Sequence, residues 1–368
     1  MNDTNPEHHE VVVIGAGQGG LATSHDLAKR GIDHVVLEAN VRVGDNWRTR
    51  YDSLRLYSPA KYDGLPGLPM PLPRNSYPTG HQMADYLEAY AQHFGLPVRT
   101  GVTVDGLRAS EKGDGYVVTA GERAYAADQV VIAAGYFRKP HVPAFAAELD
   151  PAIRQVHSSE YRRPSQLNDG PVLVVGLSHS GADLAMEAVS HGHPTVVSGK
   201  GHGQLPVSVD SRLGQLGWPV MKFVASNLLT LRTPIGRKMA PEIRKGGAPL
   251  LRHRRNDLLK AGVELTDART AGVKDGKPML ADGRVLDVAN VIWSTGFRPD
   301  YSWIDVPILG DDGWPDQERG VVRSAPGVYF MGLIFQFGFT SMLVVGAARD
   351  AAFVVDRIAA RAVQAPVA

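Results

Sequence analysis

Gly15, Gly17 and Gly20 follow Val11-Val12-Val13-Ile14 at G-x-G-x-x-G spacing. Glycines placed this way suit the binding of a dinucleotide pyrophosphate. The first makes a tight turn, the second lets backbone approach the phosphates, and the third lets a helix close on the strand. That helix, opening near Gln18, presents free N–H groups and the positive end of its dipole to the anion. Glu38, followed by Ala39, ends the next β-like run. It lies at about the distance beyond the turn where an acidic residue accepts hydrogen bonds from a ribose hydroxyl.

The pattern then returns. Val172-Leu173-Val174-Val175 runs into Gly176, Ser178 and Gly181, with His179 and Ser180 among them. No acidic residue closes the strand that follows. Ser198, Gly199 and Lys200 stand there instead. A hydroxyl and a cation suit a 2′-phosphate, which favours NADPH, with NADH as the alternative. Two such units in one chain point to a flavin dinucleotide and a nicotinamide dinucleotide. The chain has no cysteine, so disulfide, thiolate–metal and Cys-x-x-Cys chemistry are excluded and electrons must pass through a cofactor. No metal site is expected.

The elements that must hold these residues are legible in outline. A helix is expected over 17–30, with Gly31 as its stop, and strands over 32–37, 102–104, 116–119 and 130–133. Thr79 to Gln82 reads as a capping box before Met83, Tyr86, Leu87 and Tyr90 at helical spacing. The segment 205–255 is an insertion with helical apolar stretches and basic residues, among them Arg252, Arg254 and Arg255. Val291-Ile292-Trp293 is expected to return the chain to the first unit, and the last helix to begin near Ser341 and Met342. The expected fold is α/β with two Rossmann-like dinucleotide-binding domains. The first, of three-layer β/β/α type, is built from 1–163 and 291–368 and interrupted by the second, 164–290.

With 368 residues, 43% hydrophobic and 21% charged, and a net charge of +1, nothing favours nucleic acid or a membrane surface as partner. The uncharged stretch 324–348 has the length of a membrane span. Gly327, Gly332, Gly338 and Gly346 break it, so a buried strand, a loop and the start of a helix are expected. The polar stretch Met1–Glu10 lacks an apolar leader, and a cytoplasmic protein, monomer or homodimer, is expected.

Taken together, these motifs resemble the class B flavin-containing monooxygenases, nearest to their short bacterial FAD-dependent members, over almost the whole length. The two glycine turns, Glu38, Gly44-Asp45-Asn46-Trp47-Arg48, Ala134-Gly135 and Thr295-Gly296-Phe297-Arg298-Pro299 carry the resemblance. His157-Ser158-Ser159-Glu160-Tyr161 matches the second half of the family motif F-x-G-x-x-x-H-x-x-x-Y, with Pro151 and Ile153 replacing its Phe and Gly.

The resemblance implies that Gly15, Gly17, Gln18, Gly20, Glu38 and Ala39 hold FAD. Gly44 and Asp45 lead into Trp47 and Arg48, which lie along the flavin. Val104, Ala134, Gly135, Thr295 and Gly296 complete the cofactor set, and Ser341 and Met342 aim the last helix at the flavin pyrimidine. Gly176, Ser178, His179, Ser180 and Gly181 would bind the NADP pyrophosphate, with Ser198 and Lys200 at its ribose. Tyr57 takes the place where many members carry an Asn beside flavin C4a, which makes it the catalytic candidate. The implied reaction consumes NADPH and O₂ and passes one oxygen to a small sulfide, amine or ketone through a C4a-(hydro)peroxyflavin. A Tyr there implies a shorter-lived intermediate and more peroxide. The alternatives are an NADPH-dependent flavin reductase or oxidase that oxygenates nothing, and a redox sensor without turnover.

Overall fold

A computed structural model describes residues 6–111, 113, 115–136 and 139–364; Met1–Asn5 of the N-terminal stretch lie outside them. Strand β1 (Glu7–Ile14) begins before its apolar run. Its polar half is recruited by pairing, since β6 (Arg123–Ile132) runs parallel to it from Glu7↔Tyr125 to Ile14↔Ile132. Between them come α1 (Gln18–Lys29), β2 (His34–Leu37), the single turn α2 (Asp45–Arg48), α3 (Gly80–His93), β3 (Val98–Arg99), β4 (Gly106–Ala109) and β5 (Tyr116–Ala120). The capping box of α3 forms as expected. Thr79 Oγ1 accepts from the Gln82 N–H at 3.1 Å, and Gln82 Oε1 from the Thr79 N–H at 2.9 Å.

After β7 (Lys139–Pro140) the chain builds a second sheet. Its elements are β8 (Arg154–His157), β9 (Val172–Val175), α4 (His179–Ser190), β10 (Thr195–Ser198), α5 (Arg212–Phe223), α6 (Pro234–Arg244), α7 (Arg255–Lys260) and β11 (Glu264–Thr266). A hairpin of β12 (Thr270–Lys274) and β13 (Lys277–Leu280) precedes β14 (Asn290–Trp293). The order is β11-β10-β9-β14-β8, parallel throughout. The chain returns through β15 (Phe297–Arg298), which pairs antiparallel with β7. It then forms β16 (Ile304–Asp305), β17 (Gln317–Glu318), β18 (Val321–Val322), β19 (Val328–Phe330) and α8 (Val344–Gln364).

The expected boundaries at 163/164 and 290/291 therefore move. Strands β8 and β14 both belong to the second sheet, and the chain crosses at the β7/β15 ribbon. A fully buried apolar strand carries no mark of the sheet it will join; its hydrogen-bonding neighbours decide.

Alternation along β1 produces the layers. Val11 and Val13 face a cluster with Leu21, Leu27, Met83, Val354 and Ile358 from the helices. Val12 and Ile14 face Leu107, Val118 and Tyr125 from the β4–β6 meander. The stretch 324–348 becomes β19, a loop, the 3₁₀ turn Phe339–Met342 and the first turn of α8. No helix among the described residues is long and apolar enough to cross a membrane. The last helix starts at Val344 rather than Ser341, because the Ser341 hydroxyl accepts from the Phe337 and Gly338 N–H groups at 3.1 and 3.2 Å and holds the chain in the tighter turn.

Candidate functional site

The first turn shows why each glycine is there. Gly15 has φ +104°, and a Cβ on it would lie 2.6 Å from the Ala133 carbonyl oxygen. A Cβ on Gly20 would lie 1.9 Å from that of Gly15. At Gly17 a Cβ would meet nothing within 4 Å, so this residue borders open space at the start of α1. No side chain caps that helix, which leaves its first N–H groups, from Gln18 on, directed at that space. Glu38 is 9% exposed at the end of β2. Its Oε2 accepts from the Ala16 N–H at 2.7 Å, and its Oε1 from the Asn40 N–H and side-chain amide at 2.9 and 2.6 Å. Charge-assisted bonds fix the carboxylate on the turn itself. Ala39 beyond it is exposed. Val104 is buried among Ile14 and Leu37, and Ala134 and Gly135 line a small recess with Tyr301 and Gly332.

Gly44, at φ +89°, brings α2 against α3, with 2.5 Å between its would-be Cβ and the Ala84 carbonyl oxygen. Trp47 is carried on α2 with its indole N–H buried and, among the described residues, without a hydrogen-bond partner. An orphaned donor of this kind fits a polar cofactor atom. Arg48 is engaged elsewhere. It donates to the Val43 carbonyl and Asp45 at 2.8 and 3.0 Å, and to Asp85 and Glu88 at 2.8 Å each, riveting α2 to α3. Thr295 and Gly296 brace the interdomain ribbon. The Thr295 hydroxyl donates to the His141 carbonyl, and the Gly296 carbonyl accepts from the His141 N–H at 3.0 Å. His157 reaches the same carbonyl through Nε2 at 3.1 Å, while its Nδ1 accepts from the Ser159 N–H at 3.2 Å. Burial holds the His157 pKa below its ordinary value, so the neutral Nε2–H tautomer serves as a fixed donor. Met342, on the 3₁₀ turn with Ser341, is half-buried.

The second turn repeats the first. Gly176 has φ +109° and a would-be Cβ 2.4 Å from the Ser294 carbonyl oxygen; that of Gly181 lies 1.9 Å from Gly176 O. Ser178 stands at the N-cap of α4 without capping it. Its hydroxyl donates to the Ala248 carbonyl at 3.3 Å and accepts from the Ala248 N–H at 3.2 Å. His179 Nε2 meets the Pro249 carbonyl at 2.8 Å, so the insertion lies across this turn, with half-buried Ser180 beside it. Ser198 is fully buried, its hydroxyl 2.6 Å from Thr270 Oγ1, and is committed to the sheet. Lys200 is exposed. Arg255, paired with Asp267 at 3.1 Å, comes within 3.9 Å of a Cβ position on neighbouring Gly201 and adds a second cation there.

Tyr57 sits where the two domains meet. Its hydroxyl donates to Asp183 Oδ2 on α4 at 2.6 Å, and Tyr51 donates to the same oxygen at 3.0 Å. The His179 ring lies 4.6 Å away. The Arg252 guanidinium stacks 4.8 Å over the Tyr57 ring, donates to the Arg55 and Leu56 carbonyls at 3.0 and 2.8 Å, and pairs with Asp210 at 2.7 Å. Burial, then the neighbouring Tyr51 and Asp183, raises the Tyr57 pKa well above the ordinary phenol range, so the hydroxyl stays a donor. Asp183, Tyr51 and the seam role of Arg252 escaped the sequence reading. Asp183 carries no local signal beyond its place one turn into α4.

Comparison with known proteins follows this geometry. The pyridine nucleotide-disulphide oxidoreductase family matches residues 12–212. A CzcO-like uncharacterized oxidoreductase of Geobacillus kaustophilus is 36% identical over 95% of this chain and 98% of its own. A probable indole-3-pyruvate monooxygenase, YUCCA7 of Arabidopsis thaliana, is 29% identical over 95% of this chain and 87% of its own. The solved flavin-containing monooxygenase from Stenotrophomonas maltophilia superposes with a TM-score of 0.76 at 26% identity, over 97% of this chain and 99% of that one.

Proposed function

The chain belongs to the pyridine nucleotide-disulphide oxidoreductase family and, within it, is an NAD(P)H-dependent flavoprotein of the class B flavin-containing monooxygenase type; on that premise we propose that it inserts one oxygen from O₂ into a small sulfide, amine or ketone at the expense of NADPH. The repeat of one glycine turn on two sheets, at nearly equal φ and with the same 1.9 Å approach, supports the two-nucleotide part of this reading, and the likeness to flavin-containing monooxygenases supports the oxygen insertion. Bound FAD supplies electron transfer and O₂ activation. The protein's own groups hold and orient. The α1 amides beside Gly17 face the FAD pyrophosphate, Glu38 receives a ribose hydroxyl, and the orphan Trp47 N–H meets the flavin. The uncapped amides of α4 take the second pyrophosphate, and Lys200 with Arg255 takes the 2′-phosphate. The buried Tyr57–Asp183 contact closes the seam between the domains and keeps water from it.

Tyr57 also supports the alternative of a reductase or oxidase. Its hydroxyl already donates to Asp183, and no side-chain amide stands at this position to offer a hydrogen bond toward a bound flavin. Turnover under isotopically labelled O₂ with thioanisole, N,N-dimethylbenzylamine and phenylacetone separates the two. Label in any organic product is the expected result. Label only in peroxide or water establishes the alternative.

Lys200→Ala is expected to raise KM for NADPH about ten-fold, the equivalent of roughly 1.4 kcal/mol, with kcat and the KM for NADH unchanged. Steady-state kinetics with both nucleotides measure it, and an unaltered preference removes Lys200 from the 2′-phosphate.

A further inference from the structure

Between the proline-rich loop after Tyr57 and α5 lies an open cleft of about 420 Å³. Leu65 and Met70, both buried, form its floor. They belong to the same apolar cluster as Met331 and Val344, against which Trp47 also packs. Val345, on the first turn of α8 and next in the chain to Val344 of that cluster, lines the cleft too.

The rim is cationic. Lys61 and Arg74 come from the loop and Lys222 from α5. Among the described residues no carboxylate lines the cleft, and none of the three cations is ion-paired. The ammonium groups of Lys61 and Lys222 lie 5.2 and 5.0 Å from the centre of the Tyr62 ring. Lys61 also donates to Asn75 at 3.0 Å. Trp218 of α5 lies 5.9 Å from Tyr62, ring to ring, and donates to the Tyr77 hydroxyl at 3.2 Å. Two segments remote in sequence are thus clamped together around an aromatic ring flanked by two ammonium groups. Cations gathered without counter-charges over an apolar floor create a positive potential, strengthened by the low-dielectric wall. Such a site selects a ligand with an apolar body and an anionic head.

We propose that this cleft binds the oxidisable substrate and that the substrate is an amphipathic carboxylate, its apolar body against Leu65 and Met70 and its carboxylate on Lys61 and Lys222. The substrate role rests on the monooxygenase reading; the preference for a carboxylate does not.

Calorimetric titration of the flavin-loaded protein with (phenylthio)acetate, 3-(phenylthio)propionate and 3-benzoylpropionate, acids that carry an oxidisable sulfide or ketone, each against its primary amide, tests it. At least one acid is expected to bind about ten-fold tighter than its amide, an advantage that falls with salt and nearly disappears in the Lys61→Ala/Lys222→Ala double variant. Both lysines are partly exposed and lie outside the residues assigned to FAD, so flavin content should be unchanged. Acids binding no tighter than amides, or a preference that survives both substitutions, overturns the proposal. An acid that binds in a lysine-dependent way but is not oxygenated under labelled O₂ leaves the anion site standing and removes its role as substrate.

Discussion

Gly17→Asp is expected to give a folded protein without flavin. A Cβ at this position meets nothing within 4 Å, so the substitution disturbs no packing. The new carboxylate would occupy the space at the start of α1, take the uncapped helix amides for itself and repel the pyrophosphate. A loss of about 3–4 kcal/mol of binding corresponds to roughly 100- to 1,000-fold weaker FAD. Gly20→Ala is the contrasting control. Its methyl would fall 1.9 Å from the Gly15 carbonyl oxygen, which side-chain movement cannot relieve. The strand–helix junction itself must shift, at a cost of about 1–3 kcal/mol or more. Flavin absorbance of the purified proteins together with their thermal melts tells the two apart. A yellow Gly17→Asp protein with wild-type FAD affinity would show that the space beside Gly17 does not hold the pyrophosphate.

Asp63→Asn is expected to stabilise the protein at pH 8 and to leave it nearly unchanged at pH 4. Asp63 is fully buried. One carboxyl oxygen accepts from the Ser58 hydroxyl at 2.5 Å, and the other has no partner among the described residues. Burial is the main cause that pushes its pKa from 3.8 up to about 7, against the lowering effect of Ser58. Below pH 3.8 both folded and unfolded chains carry the proton, and the aspartate imposes no penalty. From there to about pH 7 the unfolded chain ionises freely while the folded one does not, so stability falls as pH rises. A shift of about three units corresponds to roughly 4 kcal/mol lost by pH 8. A neutral amide has no such slope. Denaturant unfolding of both proteins at pH 4 and pH 8 measures the difference, and an equal effect of the substitution at both values would exclude this titration.

What the sequence could show was whatever depends on neighbouring residues. The two glycine turns, the Thr79 capping box and the apolar run of β1 are local codes, and each appears in the structure where it was read. Sheet membership is not local. Nothing in Val156 or Ile292 says which sheet will accept the strand, and both were assigned to the wrong domain. The roles of Arg48, Thr295 and Gly296 depend on Glu88, His141 and His157, none of them adjacent in the chain. Tyr57 was singled out for its place in the family pattern, while its partner Asp183 stands 126 positions away. Lys200 was visible as a cation after a strand, and the basic run 252–255 as a second possible phosphate contact, but the sequence could not single out Arg255 from its neighbours as the one that approaches Gly201. Ser198 reads as a ribose contact from its position alone, and only its bond to Thr270 shows that it faces the sheet.

The paired β7/β15 ribbon also sets an order of assembly. A chain emerging from its N-terminus contains every strand of the inner sheet by Trp293. The outer sheet still lacks β19 at that point, and the helix that packs on α1 is complete only at Gln364. The inner unit therefore has all its partners while the outer one waits with Val11 and Val13 only partly covered. The β7/β15 ribbon joins the two ends of the stretch that builds the second sheet, so that sheet is expected to gain protection before the first-sheet core, an order that pulse-labelling hydrogen exchange during refolding tests.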